Sequence, residues 1–256
     1  VNALEIEDLQ VRYGRREVVS GVSLAVPAGR TLGLVGESGS GKSTIANAAV
    51  GLAPIHTGDI RVHGVSSVGR RRTARAARRR IQMVFQDPFS SLDPRMPIGE
   101  SIAEGLKAAP RDLSRTERRD RVAELLEQVG MEPRRAGELP RSFSGGQRQR
   151  ITIARALAGE PEILIADEVT SALDVSVQST VLNLLRDLQQ RLGLTMLFIS
   201  HNLAVVRYVS DDIAVMRSGG IVEYGPTDDL LADPSEPYTR ELLAAVPVLG
   251  ERMEFA

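Results

Sequence analysis

Apolar and polar positions alternate with a period close to two over Leu4–Val11, and again over Val18–Val26 before Pro27-Ala28-Gly29 turns the chain. A period of two puts successive side chains on opposite faces, so both stretches predict half-buried strands. Thr31–Val35 is short, almost wholly apolar and ended by Gly36, the pattern of a strand buried on both faces. A glycine-rich loop follows, and a helix is expected from Ser43 to about Val50. Ile60–Val62 and Ile81–Phe85 read as further strands.

From Asp87 to about Ala158 the spacing becomes helical. Ser114-Arg115-Thr116-Glu117 is a capping box, in which the serine hydroxyl and the glutamate three residues on satisfy each other's backbone N–H groups. Behind it Val122, Leu125, Leu126 and Val129 share one helical face, and Gly130 is a natural stop. Another helix is expected from after Ser144 to Leu157. Strand and helix then alternate again: Ile163–Ala166 as a buried strand, Val175–Leu192 as a helix with a stripe of Val181, Leu185, Leu188 and Leu192, and Thr195–Ile199 as a buried strand. Ile213–Met216 and Ile221–Tyr224 flank Ser218-Gly219-Gly220 and read as a hairpin. The Pro-rich tail after Gly225 predicts two short helices separated by Asp233-Pro234, and reads as an appendage. Alternation on both sides of a helical block predicts an α/β fold with a parallel-sheet core and an inserted helical subdomain.

Composition narrows the chemistry. The chain has 256 residues, 42% hydrophobic and 25% charged, with a net charge of -1, so no overall field draws it to nucleic acid or anionic lipid. It has no cysteine, which excludes disulfides, thiolate metal sites and iron–sulfur clusters. No apolar run approaches the roughly 18 residues of a membrane span, and the first residues show no basic-then-apolar signal-peptide pattern. A cytosolic location is expected. The chain begins at Val1 rather than Met, which leaves a longer parent polypeptide open. The Arg-rich stretch from Gly69 to Arg80 reads as a solvated helix face.

Gly36-Glu37-Ser38-Gly39-Ser40-Gly41-Lys42-Ser43 fits the phosphate loop G-x-x-x-x-G-K-[ST], and it follows a strand and opens a helix, as that loop requires. Glycines let backbone N–H groups come close to phosphates, and the helix N-terminus adds positive potential. Lys42 would meet the β- and γ-phosphates and Ser43 would ligate Mg²⁺. Such a loop needs an acid at the end of another buried strand. Asp167 supplies it, to hold Mg²⁺, and Glu168 follows, to orient or deprotonate the attacking water. Ser144 can cap a helix whose first N–H groups are bared by Gly145 and Gly146, which makes a second anion site.

Phe143-Ser144-Gly145-Gly146-Gln147-Arg148-Gln149-Arg150 resembles the signature motif of ATP-binding cassette (ABC) proteins, in which Leu is commoner at the first position. The resemblance spans about Leu4 to Gly225. It implies a P-loop NTPase (RecA-like) core, residues 1–86 and 157–224, with an N-terminal antiparallel β subdomain. The inserted α-helical subdomain is then 87–156 and the C-terminal tail 225–256. It also implies site roles. Tyr13 would stack on adenine; Gly36, Glu37, Ser38, Gly39, Ser40, Gly41, Lys42, Ser43 and Thr44 would hold the phosphates. Gln86 would meet Mg²⁺ beside Ser43 and Asp167 and couple to the membrane partner. His201 would contact the γ-phosphate. Ser144, Gly145, Gly146, Gln147 and Asp174 would act across a pair of cassettes.

The finer resemblance is to the ATPase subunits of dipeptide, oligopeptide and nickel importers. It rests on Gln86-Asp87-Pro88 with Ser91-Leu92-Asp93-Pro94-Arg95, on Asp167 through Gln178, and on Pro237-Tyr238-Thr239-Arg240-Glu241-Leu242-Leu243. It implies ATP and Mg²⁺ as cofactors, a second ABC ATPase domain of the same or a paralogous chain, transmembrane permease subunits and, indirectly, an extracytoplasmic substrate-binding protein. The chain would then lie peripherally on the cytoplasmic face of the membrane, with no nucleic-acid partner. A soluble cassette ATPase acting on nucleic acid or ribosomes, or an exporter subunit, stays as the alternative.

Overall fold

The computed structural model describes residues 1–109 and 112–245. The last eleven residues of the 225–256 tail lie outside the described residues. Two long strands, β1 (Asn2–Tyr13) and β2 (Arg16–Pro27), pair antiparallel. β3 (Thr31–Val35) leads through the glycine-rich loop into α1 (Lys42–Ala49). β4 (Ile55–Val62) and β5 (Val65–Ser66) return to the first sheet, whose order is β2-β1-β4-β5. Next come α2 (Arg72–Arg79), β6 (Ile81–Val84) and the single turn α3 (Pro88–Ser91). The helical block holds α4 (Ile98–Gly105), α5 (Arg115–Gln128) and α6 (Gly145–Ala158).

Then β7 (Ile163–Asp167), α7 (Val175–Leu192), β8 (Thr195–Ser200) and α8 (Leu203–Val209) restore the alternation, and β9 (Asp212–Arg217) and β10 (Gly220–Pro226) form the hairpin. α9 (Thr227–Ala232) and α10 (Pro237–Ala244) follow. The second sheet has the order β10-β9-β3-β8-β7-β6, parallel except for β10.

The apolar strands of this sheet divide their side chains between two cores. Ile163, Ile165, Leu197, Ile199, Ala214 and Met216 face a core shared with α1 and the antiparallel sheet. Leu164, Ala166, Met196, Phe198, Ile213 and Val215 face the other, shared with α4–α8. A run that is apolar at every position is what burial on both faces demands. The functional ends follow from this layout. The C-terminal ends of β3, β6, β7 and β8 point to one edge of the sheet, the edge where parallel α/β sheets bind ligands.

Local signals decide the helix ends. In the α5 capping box Glu117 N–H donates to Ser114 Oγ at 3.3 Å and Ser114 N–H to Glu117 Oε2 at 2.7 Å. Gly130 follows α5 with φ 68°, a left-handed conformation that costs other residues more. α2 buries only Ala74 and Ala77 and leaves most of its arginines at the surface.

Two expectations are corrected and one helix is added. Leu192 is 46% exposed rather than part of the α7 stripe, because the helix ends there and Gly193 turns the chain left-handed. Leu203–Val209 is a helix that the sequence pattern did not single out; Asn202 caps it by accepting from Ala204 N–H and Val205 N–H. The tail is not an appendage: Leu230, Leu231 and Tyr238 are buried in the same core as α4–α8. Among the described residues no helix is long and apolar enough to cross a membrane.

Candidate nucleotide site

The phosphate loop leaves β3 in a conformation that only glycine accommodates. Gly36 and Gly41 have φ of 157° and 111°. A Cβ on Gly36 would lie 2.1 Å from the Met216 carbonyl oxygen, and one on Gly41 2.8 Å from that of Val18. Gly219 N–H, in the β9–β10 turn, donates to the Ser40 carbonyl at 3.0 Å and holds the loop from the side.

Lys42 opens α1 and is 4% exposed. Its Nζ donates to the carbonyls of Gly36 and Glu37, both at 2.7 Å. Burial pulls the ammonium below its ordinary value, while Glu168, Asp167 and Glu37 oppose the shift. An ammonium buried beside its own loop can exchange backbone carbonyls for phosphate oxygens without a new desolvation cost.

Asp167 ends β7, and Ser43 Oγ donates to its Oδ1 at 3.0 Å. The carboxyl is pushed up to about 6, first by burial. The Ser43 hydrogen bond and Lys42 work against that, and the Glu168 charge adds to it.

Glu168 is the point of convergence. Gln86 Nε2, just beyond β6, donates to its Oε2 at 3.0 Å, and His201 Nδ1, just beyond β8, lies 3.4 Å from the same oxygen. The backbone of Glu168 has φ 46°, an uncommon conformation for a residue with a side chain, and its N–H donates to the Ile199 carbonyl at 2.9 Å. Such a conformation persists only when its surroundings over-determine it. Here it turns the carboxylate off the strand end and into the cleft.

A cleft of about 350 Å³ gathers most of the expected residues: Tyr13, Ser38, Gly39, Gly41, Lys42, Ser43, Thr44, Gln86 and Glu168 line it. Tyr13 stands at its rim, 49% exposed. Arg16 and Val18 also line it and carried no sequence signal, since each is an ordinary strand residue until β2 is folded beside the loop. Ser171, given no site role by the sequence, also reaches this group: its Oγ lies 3.4 Å from Gln86 Nε2 and donates to the Glu168 carbonyl at 2.9 Å.

Ser144, Gly145, Gly146, Gln147 and Asp174 do not line that cleft. Ser144 caps α6 in a second capping box: Gln147 N–H donates to its Oγ at 3.3 Å and Ser144 N–H to Gln147 Oε1 at 3.0 Å. A hydroxyl that accepts in this way still has a proton to donate. Gly146 also has a packing reason, since a Cβ there would lie 2.2 Å from Val177 Cγ1 on α7. Asp174 caps α7, accepting from Val177 N–H at 3.0 Å.

The family described as "ABC transporter" matches residues 19–171, from β2 through the phosphate loop and Glu168 to Ser171. The chain belongs to the ABC transporter family. The C-terminal region of oligopeptide/dipeptide transporters also matches, over residues 222–255, so this ABC ATPase carries the tail of that group. It is 54% identical over 231 residues to a Brucella abortus protein named "Putative peptide import ATP-binding protein", covering 90% of this chain and 69% of that one. It is 47% identical over 251 residues to the oligopeptide transport ATP-binding protein OppF of Bacillus subtilis, covering 96% and 82%. Among solved structures, cbiO1 of Clostridium perfringens, part of the ABC transporter complex cbiONQ, superposes with a TM-score of 0.81 at 27% identity, covering 91% of each chain. The ATP-binding cassette MJ0796, solved as a dimer bound to ADP and Pi, superposes at 0.77 and 28% identity, covering 88% of this chain and 98% of that one.

Proposed function

We propose that this ABC ATPase powers the import of oligopeptides or dipeptides, as a peripheral subunit on the cytoplasmic face of the membrane. The observation that carries the reading is the pairing of an ATPase site with the tail matched over residues 222–255. The names of the relatives in Brucella abortus and Bacillus subtilis support it.

In this reading Lys42 and the loop N–H groups bind the phosphates. The Glu168 carboxylate takes a proton from the attacking water or fixes its lone pair in line, while Gln86 and His201 hold that carboxylate. The donor set fits Mg²⁺, because Ser43 and Asp167 bring two hard oxygen donors 3.0 Å apart with the Gln86 amide on the same cleft. Bound there, the ion would neutralise charge on the phosphates. A wider cleft of about 760 Å³ between the sheet and the helical block, lined by Phe85, Ser90, Ser91, Glu104, Lys107 and Arg155, is the candidate seat of a permease segment.

Proteoliposomes holding this chain with its permease subunits and binding protein test the reading. ATP-dependent uptake of a labelled tripeptide, abolished by Lys42→Ala, is the expected result. ATP hydrolysis without uptake of di-, tri- or pentapeptides would overturn peptide import and leave the ATPase intact.

A further inference from the structure

The Gly36–Glu37 peptide unit is gripped at both of its polar ends. Its carbonyl accepts from Lys42 Nζ at 2.7 Å, and its N–H, on Glu37, donates to the Tyr238 hydroxyl at 3.0 Å. Tyr238 lies on α10, 201 positions away, and is 2% exposed. The Arg217 guanidinium at the end of β9 sits 4.6 Å from the centre of its ring. α10 is itself fixed, since the Glu223 carboxylate on β10 accepts from Ser235 N–H at 2.7 Å and Arg240 donates to the carbonyls of Pro234 and Ser235. A peptide plane rotates as a unit, so whatever holds the N–H also sets the direction of the carbonyl.

We propose that Tyr238 is a positioning residue for ATP binding: its hydroxyl locks the Gly36–Glu37 peptide so that Lys42 is held in register with the phosphate loop. The C-terminal tail thereby becomes part of the nucleotide site. Tyr238 touches no phosphate; it acts through the backbone that aligns the lysine. The loop carries a second restraint of the same origin, the Gly219 N–H on Ser40, so the elements after β8 grip it at two points. Without the tyrosine oxygen the Glu37 N–H loses its acceptor inside the fold, and the peptide is free to turn toward another one. The inference rests on the ATPase reading of the cleft, and two measurements keep the two apart.

Tyr238→Phe in the full chain keeps the ring and removes the acceptor. Equilibrium binding of a fluorescent ATP analogue and steady-state hydrolysis are compared with the unaltered protein. The dissociation constant and KM should rise about two- to tenfold, the scale of one net hydrogen bond, with kcat changed less than twofold. A merely structural role would instead lower kcat through loss of folded protein and leave KM alone; that outcome, or unchanged affinity, overturns the proposal. Amide exchange without nucleotide is the second readout. The peptide containing Glu37 should exchange faster in Tyr238→Phe while the helical block is unaffected. Equal exchange overturns the proposal whatever the protein does with ATP. Failure of the unaltered protein to bind ATP would count against the nucleotide site itself.

Discussion

Ser43 and Asp167 meet across 124 positions of sequence, the serine hydroxyl donating to Oδ1 at 3.0 Å. The bond joins the start of α1 to the end of β7, and it keeps a carboxyl pushed up to about 6 facing the loop. The raised value has a definite sign. A proton competes for this carboxylate below about pH 6, so cation binding there should weaken as the medium is acidified from pH 7.5 to 5.5. The difference in nucleotide affinity with Mg²⁺ and with EDTA, followed over that range, should shrink toward low pH. Asp167→Asn should abolish the difference at every pH. Stability runs the other way. A carboxyl raised above 3.8 stabilises the fold at low pH and loses that contribution as pH rises through about 6. Nucleotide-free Asp167→Asn should therefore melt about 2 °C or more above the unaltered protein at pH 8. A lower melting point would mean that the carboxylate is held by more than the structure accounts for.

Glu168→Gln should keep ATP binding and lose turnover by about 10²–10⁴, the usual worth of one base or water-positioning group. The amide can still accept from Gln86 but cannot take a proton. Lys42→Ala should show the opposite division, with the loss appearing in equilibrium binding of labelled ATP. Unaltered turnover in Glu168→Gln, in a preparation free of contaminating ATPase, would remove that residue from the chemistry.

The sequence made the site's parts legible for a physical reason: each is a short local pattern. Glycines at set spacings, a serine before bare N–H groups and acids after an apolar strand all carry their conformation with them. The apolar runs Thr31–Val35, Ile163–Ala166 and Thr195–Ile199 likewise announce strands buried twice over. Contacts made by the completed fold announced nothing. Arg16 reaches the cleft only because β2 lies beside the loop, and Tyr238 meets Glu37 from 201 positions away. The family resemblance, and its place just after Gln86, imply that the Asp87–Pro97 segment faces the permease with Phe89, Leu92 and Met96, but Leu92 is 2% exposed and belongs to the core.

Phe89, in the same segment, does reach solvent, 55% exposed with the Arg148 guanidinium 4.4 Å from its ring centre. Asp87 caps this turn by accepting from Phe89 N–H and Ser90 N–H, so reversing its charge would damage the turn itself. Phe89→Asp together with Arg95→Glu changes only exposed side chains. Basal ATPase of the isolated chain should stay within twofold, and transport in reconstituted vesicles should fall at least tenfold. Transport at the original rate would place the coupling surface elsewhere.

The anion site expected at Ser144, Gly145 and Gly146 bears on the working unit. Ser144 and the glycines after it lie off the cleft formed by Lys42, so one chain carries two halves that do not meet within it. Buried phosphate charge needs donors on every side. A head-to-tail pair would supply them, with each ATP between Lys42 of one chain and Ser144 of the other. ATP should then drive dimerisation, most visibly in Glu168→Gln, where slow hydrolysis lets the closed pair accumulate. Light scattering with and without Mg-ATP measures it. Mixing Lys42→Ala with Ser144→Arg gives a sharper test, because each is expected to be inactive alone. Their mixed dimer has one composite site with both defects and one with neither, so part of the activity should return on mixing. A Glu168→Gln protein that stays monomeric at saturating ATP, with a mixture that stays inactive, would rule out the self-paired unit and require a distinct second cassette.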